Sequence, residues 1–172
     1  MKPFKSQEKA EAEPGSDPKI VLTAALRLLA RREHSSEELR RKLLNKGHSA
    51  AAVVEVVAGL RDKQLVSDDR FVASFVRHHA SRGQGPVRIR AELRQLGIGD
   101  DMVEECFDKA GVDWNTLAAQ VRARKFSGSP PRSLAERAKQ ARFLQYRGFT
   151  ADQIRAAFAA DTAEEMDFHE DF

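Results

Sequence analysis

The chain contains 172 residues, of which 41% are hydrophobic and 32% are charged. This length fits one ordinary domain or a short row of small modules, with enough apolar residues for a packed core. A single cysteine, Cys106, excludes an internal disulfide framework and is typical of a reducing compartment. No apolar run approaches the roughly 20 residues of a membrane span, and the N-terminus lacks the apolar core of a signal peptide. We therefore expect a cytoplasmic protein that does not enter a membrane.

Charge is distributed unevenly along the chain, whose formal net charge is +3. Residues 1–18 are rich in Lys, Glu, Ser and Pro and predict a disordered leader. Residues 161–172 hold six acids and neither Lys nor Arg, which makes them an acidic tail. The segment between them, residues 19–160, carries 26 basic and 16 acidic residues. This surplus of positive charge indicates a polyanionic or acidic partner.

Three segments of the chain repeat one pattern at intervals of 50 and 51 residues. In each segment a helical apolar periodicity ends in a Leu-x-x-x-Gly motif, and the glycines are Gly47, Gly97 and Gly148. Glycine supplies the left-handed conformation that commonly ends a helix. A Ser, Gly or Thr follows two residues later and can cap the next helix. Apolar residues six and ten positions after each glycine line one face of that helix.

Further signals mark where helices begin. Capping-box patterns start at Ser35, Ser133 and Thr150, Pro86 suits a first helical turn, and Asp113 can cap the helix after it. We therefore predict nine helices, over residues 19–33, 36–46, 50–63, 68–81, 86–96, 100–110, 114–125, 133–147 and 151–160. They group into three-helix repeats over residues 19–65, 66–112 and 113–160. An isolated unit of about 50 residues buries a marginal core. The predicted fold is all-α, with three tandem, helix-turn-helix-like repeats in an elongated, curved arrangement.

Residues that often carry catalysis are poorly arranged for it. Cys106 lies in an apolar stretch, which predicts a buried structural thiol. His78 and His79 are adjacent on a helix and point about 100° apart, which does not suit two zinc ligands on one face. The Asp pairs at 68–69 and 100–101 each open a predicted helix, where acids complement the helix dipole. The sequence also lacks a phosphate-binding glycine loop. We expect a non-enzymatic protein with no metal site and no cofactor.

Cations recur on corresponding helices of the three repeats and predict a basic stripe. Nineteen of the 29 cations are Arg, whose planar guanidinium suits phosphates and carboxylates. An exposed helix face is often charged without binding anything, so an ordinary solvated face remains the alternative. The candidate partner- and nucleic-acid-binding residues are Arg40, Arg41, Arg77, Arg82, Arg88, Arg90, Arg94, Arg122, Arg124, Lys125, Arg142 and Arg147.

Four aromatic residues bear on the same question. Phe71 and Phe75 lie four residues apart on one helix face, which predicts core packing. Phe126 and Tyr146 lie beside basic residues, where a ring can stack on a base or pack against a partner. Core packing is the favoured prediction for these two rings as well.

The middle of the chain resembles the central block of the bacterial RecX family. The resemblance rests on the stretch Leu65-Val-Ser-Asp-Asp-Arg-Phe-Val-Ala-Ser-Phe-Val-Arg77 and on the stretch from Arg82 to Ile98, which contains Gly-Gln-Gly-Pro-Val-Arg-Ile-Arg. Flanking segments fit the same family, namely Ala25-Leu-Arg-Leu-Leu, Ser36-Glu-Glu-Leu-Arg-Arg-Lys-Leu and Tyr146-Arg-Gly-Phe-Thr-Ala-Asp-Gln-Ile154. The similarity covers about residues 20–158 and leaves out the leader and the acidic tail.

The resemblance implies a negative regulator of the RecA recombinase in homologous recombination, DNA repair and the SOS response. Such a regulator binds the groove of the RecA–DNA filament and inhibits filament growth, ATP hydrolysis, strand exchange and coprotease activity. The resemblance also implies weaker, non-specific binding to single- and double-stranded DNA, and we expect a monomer. On this basis the contacts would come from Arg77, Arg88, Arg90 and Arg94, with Arg40, Arg41, Arg142 and Arg147 on either side.

Other interpretations of the sequence stay open. One is a non-specific DNA-binding helical protein that acts independently of RecA. The third helices of the first two repeats are poor in base-reading side chains, which argues against sequence-specific recognition. A passive helical scaffold would leave the basic surplus unexplained. For the acidic tail, one hypothesis is that it folds back and competes with the partner, and the alternative is a solubilising terminus.

Overall fold

The described part of the chain is built from helices alone. The computed structural model describes residues 17–167, with their side chains as far as residue 159. This range contains nine helices and no strand, which confirms the all-α prediction. The helices are α1 (Pro18–Leu29), α2 (Ser36–Leu44), α3 (Ala50–Asp62), α4 (Asp68–Ser81), α5 (Pro86–Gln95), α6 (Asp100–Ala110), α7 (Trp114–Phe126), α8 (Leu134–Arg147) and α9 (Ala151–Asp167). Most of the predicted leader, residues 1–16, and the end of the predicted tail, residues 168–172, lie outside the described residues.

Two helix ends differ from the prediction by four residues or more, and the other bounds agree within two residues. The first helix ends at Leu29 and not at residue 33, since the chain turns after it and brings Arg32 Nη1 to 2.9 Å from Glu38 Oε2. The ninth helix continues past residue 160 to Asp167. Ala, Glu and Met are strong helix formers, and no glycine or proline interrupts them in this stretch. Residues 161–167 of the predicted acidic tail are therefore helical.

The capping-box prediction is confirmed in full at one of its three sites. At the start of α9, the Thr150 hydroxyl accepts from the Gln153 N–H at 3.3 Å, and the Gln153 amide oxygen accepts from the Thr150 N–H at 2.9 Å. Ser35 and Ser133 also accept the N–H three residues later, at 3.0 and 3.2 Å. Neither box is completed by the glutamate at the third position. Glu38 binds the Arg32 guanidinium, and Glu136 accepts a hydrogen bond from the backbone N–H of Arg132.

The chain separates into two compact units, one ending at Asp68 and the other beginning at Asp69. In the first unit, α1, α2 and α3 pack around Leu39, Leu43 and Val53, which are fully buried. Gly47 ends α2 with a φ of +85°, and the Ser49 hydroxyl caps α3, as the repeated motif predicts. The elongated, curved arrangement of the repeats stays a prediction.

The second unit holds α4 to α9 and two groups of buried side chains. The first group comes from α4, α5 and α6 and includes Phe71, Ile89 and Leu93, with Phe75 partly buried against it. The core position predicted for the Phe71–Phe75 pair is confirmed. The second group comes from α7, α8, α9 and the turn before α9, and Leu144 is fully buried within it.

Two turns of the second unit pack backbone against backbone. The Gly85 N–H, before α5, donates to the Arg147 carbonyl at 2.8 Å, and the Val87 N–H donates to the Gly148 carbonyl at 3.0 Å. A Cβ added to Gly85 would lie 2.4 Å from the carbonyl of Gly148, and one added to Gly148 would lie 2.4 Å from the Cβ of Arg88. Neither position has room for a side chain. This contact between the turn before α5 and the turn before α9 is called the glycine joint below.

Candidate interaction surface

Helix α2 of the first unit presents two of the predicted arginines to solvent. Arg40 and Arg41 are both exposed. Arg40 donates from Nε and Nη2 to the two carboxylate oxygens of Glu37, at 2.8 and 2.7 Å. No ion pair to Arg41 occurs among the described residues. Arg41 therefore offers an uncompensated charge, whereas the charge of Arg40 is matched on its own helix.

Helix α2 also carries a buried carboxylate. Glu38 is 6% exposed and is bound by the Arg32 guanidinium at 2.9 Å and by Lys42 Nζ at 3.3 Å. Burial acts to raise the pKa of Glu38, but the hydrogen bonds and positive charges around it prevail and hold that pKa below its ordinary value. His34 is buried beside this group, and burial lowers the pKa of its imidazole. These contacts hold the α1–α2 turn against α2 and therefore stabilise the fold.

The centre of the predicted stripe is neutralised by carboxylates from α6. Arg90 donates from Nε and Nη2 to both carboxylate oxygens of Glu104 at 2.7 Å, and its guanidinium carbon lies 4.2 Å from the centroid of the Phe107 ring. Arg94 donates from Nε to Asp100 at 2.6 Å. The Arg90 hydrogen bond lowers the pKa of Glu104. The sequence analysis placed both arginines in the predicted basic stripe but missed the two acids that pair with them.

The surface position predicted for Arg122 is wrong. This side chain is 4% exposed, and its guanidinium carbon lies 4.7 Å from the centroid of the Phe158 ring on α9. Arg122 sits in the middle of α7, on the face that packs against α9, so it supports the third repeat from inside. Arg124 and Lys125, which follow it on α7, are exposed as predicted.

Six predicted cations keep their charge uncompensated on the surface. Each is exposed, and none takes part in an ion pair within the described range. They come from α2, α4, the α4–α5 turn, α7 and α8, and so from all three repeats. These residues are Arg41, Arg77, Arg82, Arg124, Lys125 and Arg142.

Four residues meet at the glycine joint of the second unit, and Arg82 takes part through its backbone carbonyl. Arg147 Nη1 donates to the Arg82 carbonyl at 3.2 Å. Arg88 Nε donates to the Glu92 carboxylate at 2.8 Å, and this bond raises the pKa of Arg88, with a smaller contribution from the Tyr146 hydroxyl. Arg82, Arg88, Tyr146 and Arg147 are together called the joint cluster. The sequence identified its three arginines one by one, but their convergence depends on how the two turns pack.

The core position predicted for Tyr146 is also wrong. Its side chain is 78% exposed, and Val87 on the other side of the glycine joint is 52% exposed. By contrast, Phe126 is half-buried and meets the Phe143 ring edge-on, with 5.5 Å between the ring centroids. Phe126 therefore packs against α8 at the edge of the third repeat, whereas a core position is excluded for Tyr146.

Comparison with known proteins identifies the family of the chain. Family profiles described as the first, second and third three-helix domains of RecX match residues 22–60, 67–106 and 113–158, respectively. The chain belongs to the RecX family. The three matched segments correspond to the three groups of helices α1–α3, α4–α6 and α7–α9.

Full-length relatives and solved structures agree with this family. The chain is 48% identical to "Regulatory protein RecX" of Halorhodospira halophila over 149 residues, which cover 87% of this chain and 92% of the relative. It is 44% identical to the protein of the same name in Chromohalobacter salexigens, over 78% of this chain and 88% of the relative. A crystal structure of RecX from Lactobacillus salivarius matches with a TM-score of 0.66 and 25% identity, over 88% of this chain and 97% of that one. A second crystal structure, of regulatory protein RecX, matches with a TM-score of 0.67 and 22% identity, over 80% of this chain and 71% of that one. At this identity the match shows the fold alone.

Cys106 and His79 of this RecX-family chain are held by packing contacts. Cys106 is 3% exposed, which confirms the predicted buried thiol, and burial raises its pKa. His79 stacks on the Phe75 ring and contacts Gln84, so it links α4 to the turn that follows. Within residues 17–159, no group of three or more His, Cys, Asp or Glu side chains is placed to hold a metal ion. No helix of the described range combines the length and apolar character that a membrane span requires.

Proposed function

We propose that the protein is a negative regulator of the RecA recombinase that binds the groove of the RecA–DNA filament. Through this binding it inhibits filament growth, ATP hydrolysis, strand exchange and coprotease activity. Family membership along the whole helical body supports the proposal, because all three three-helix domains of RecX are matched. Relatives that cover most of the chain are named regulatory proteins. The proposed action is binding in the cytoplasm by a monomer, without catalysis.

The observation that carries the proposal is the set of six uncompensated cations on all three repeats. A groove that contains both acidic protein surface and a nucleic-acid backbone attracts such charges over distances of about one Debye length, roughly 8 Å at physiological salt. None of the six takes part in an ion pair within the described range, so none has to break one before it binds. By contrast, a partner that binds a paired arginine must first displace a carboxylate of this chain. This applies to Arg40, Arg90 and Arg94. We therefore place the main contacts on the uncompensated set.

The proposal is tested by the ATPase rate of preformed RecA filaments on single-stranded DNA. The full chain is added at increasing ratios that remain well below one molecule per RecA protomer. Strong inhibition at such ratios is expected, because a protein that bridges or caps a filament acts on many protomers at once. Inhibition that begins only when the protein coats free DNA would contradict a specific role on the filament.

Single substitutions separate the contact set from the rest of the surface. Arg77→Ala and Arg142→Ala are expected to weaken ATPase inhibition, since each removes an exposed charge without breaking an ion pair. Arg155→Ala is the matched control, because Arg155 is also exposed but is paired with Asp152 on α9 and lies outside the predicted set. Equal loss for all three variants would point to a general effect of net charge and would contradict a defined contact set.

The competing proposal is a non-specific DNA-binding protein that acts independently of RecA. The same cations favour it, because lysine and arginine contacts to phosphates bind DNA of any sequence. The two functions differ in one measurable respect. A RecA-independent protein inhibits only by competing for DNA, so excess free DNA abolishes its effect on filaments. A filament regulator continues to inhibit preformed filaments in the presence of competitor DNA.

A further inference from the structure

Tyr146 is the most solvent-exposed aromatic side chain among the large hydrophobic residues of the described range. It is 78% exposed at the C-terminal end of α8, and Val87 is exposed beside the same joint. Tyrosine is enriched at interfaces, because its ring is apolar and its hydroxyl is polar. The exposure is not an effect of a loose chain, because Tyr146 directly precedes the two residues that form the glycine joint.

The backbone around Tyr146 is fixed by the glycine joint. Arg147 and Gly148 each accept one hydrogen bond from the turn before α5, at 2.8 and 3.0 Å. Gly148 has a φ of +92° and lies directly against Arg88. The ring and the arginines around it are therefore held by two elements of the second unit at once. A site with a fixed backbone loses less conformational entropy when a ligand binds.

The charges around the ring favour an anionic ligand. The joint cluster contains three guanidinium groups, of Arg82, Arg88 and Arg147, and within the described range the only carboxylate bound to any of them is that of Glu92. Arg147 uses one N–H on the Arg82 carbonyl, and a guanidinium has five donors in all. Arg82 makes no ion pair within the described range. Several N–H donors are therefore available close to an exposed ring.

We propose that the joint cluster binds single-stranded nucleic acid, with an unpaired base stacked on Tyr146 and the flanking phosphates bound by Arg82, Arg88 and Arg147. This inference builds on the proposed function by giving the filament-bound regulator a contact with the DNA strand. An exposed ring with guanidinium groups nearby offers a stacking partner for a base and donors for the phosphates of a single strand. A base in a duplex is already stacked between its neighbours, so the ring adds nothing to duplex binding and the site favours single strands. An acidic peptide would satisfy the arginines but would provide no planar partner for the ring.

The site is tested on the full chain alone, without RecA. An oligodeoxythymidine that carries 5-iododeoxyuridine is bound and irradiated, and the cross-linked residue is identified by mass spectrometry. Tyr146 is the only tyrosine in the chain, so a cross-link to it is unambiguous. A cross-link at Tyr146 is expected. Cross-links that map only to Trp114, Phe126 or other residues would overturn the proposal.

Substitution of the ring gives the second test. Tyr146→Leu removes the stacking surface and is expected to weaken binding to the oligodeoxythymidine by about 5- to 100-fold, the range for one stacked base. Tyr146→Phe keeps the ring and is expected to retain most of the affinity. Binding to a duplex of the same length is expected to be unchanged in both variants. Fluorescence anisotropy of labelled strands measures all of these affinities, and far-ultraviolet circular dichroism checks that the variants keep their helicity.

Two outcomes separate this inference from the proposed function. If Tyr146→Leu binds single strands as the unsubstituted chain does but no longer inhibits RecA filaments, the ring contacts protein and the inference is wrong. If the unsubstituted chain does not inhibit filaments at all but cross-links through Tyr146, the proposed function fails and the strand-binding site stands.

Discussion

Arg88 packs its Cβ against Gly148 so closely that a side chain on the glycine would lie 2.4 Å from it. This contact joins α5 of the second repeat to the start of α9 in the third. It also sets the distance between Arg88 and the neighbours of Gly148 in sequence, Tyr146 and Arg147. The glycine that ends α8 as a left-handed cap therefore has a second role, since it permits two repeats to meet.

We predict that Gly148→Ala destabilises the second unit more than Gly111→Ala does. Both glycines have a positive φ, +92° and +60°, so alanine costs about 1–2 kcal/mol of backbone strain at either position. At Gly148 the new methyl group also meets Arg88, whereas nothing lies within 4 Å of the Cβ position at Gly111. Denaturant unfolding followed by Trp114 fluorescence measures the difference. Equal losses of unfolding free energy in the two variants would contradict the prediction, because they would show that the glycine joint accommodates a methyl group.

We predict a pH-dependent contribution of Glu38 to the stability of the first unit. The pKa of Glu38 is lowered in the folded chain, despite its burial, by Arg32 and Lys42. Because the folded pKa lies below the unfolded value of about 4.3, the stabilisation is complete above that pH and is lost as the pH falls through the folded pKa.

The test of this prediction is Glu38→Gln, which is expected to lower the unfolding free energy at pH 7 by about 1–3 kcal/mol, the range for hydrogen bonds to charged groups. The difference from the unsubstituted chain is expected to shrink below about pH 4. Glu37→Gln is the control, since Glu37 is exposed and forms its ion pair with Arg40 on the surface. A Glu38→Gln effect that is the same at pH 7 and pH 3 would contradict the assignment.

We predict that uncompensated and paired arginines differ in their effect on the salt dependence of DNA binding. Arg82→Ala is expected to reduce the slope of log affinity against log salt by about 0.7 on single strands, the value for one lost phosphate contact. Arg94→Ala is expected to leave the slope nearly unchanged, because Asp100 already neutralises that charge at 2.6 Å. Titrations of one labelled oligonucleotide at several salt concentrations measure both slopes. A larger change for Arg94→Ala would restore the centre of the predicted stripe as the contact region.

The local parts of the fold were predictable from the sequence, and the pairings between helices were not. The glycine at 148 and the Thr150–Gln153 box depend on a few neighbouring residues, so their pattern is visible in one segment. The partner of Arg90 lies fourteen residues away on another helix. Its identity depends on the angle at which α5 meets α6, which periodicity does not determine. For the same reason the sequence predicted a cationic stripe but not which of its charges are compensated.

Arg122 is buried and Tyr146 is exposed, which is the reverse of what their residue types predict. An arginine is usually exposed and a tyrosine usually contributes its ring to a core, and both tendencies are averages over many proteins. Here α7 directs the arginine onto the Phe158 ring, while the glycine joint holds the tyrosine outward. Both positions follow from tertiary packing in the second unit.

We predict that Arg122 contributes to stability and not to partner binding. Arg122→Ala removes a buried side chain that packs on Phe158, and it is expected to lower the unfolding free energy by about 2–4 kcal/mol, within the range for large buried side chains. The control is Arg124→Ala, two residues further along α7 and exposed, for which the expected change is within about 0.5 kcal/mol. Denaturant unfolding gives both values.

For binding to RecA filaments the expected order of the two variants is reversed. At a temperature where both variants are folded, Arg124→Ala is expected to weaken inhibition of the RecA ATPase, and Arg122→Ala is expected to retain it. Loss of inhibition by a folded Arg122→Ala variant would return this arginine to the contact set.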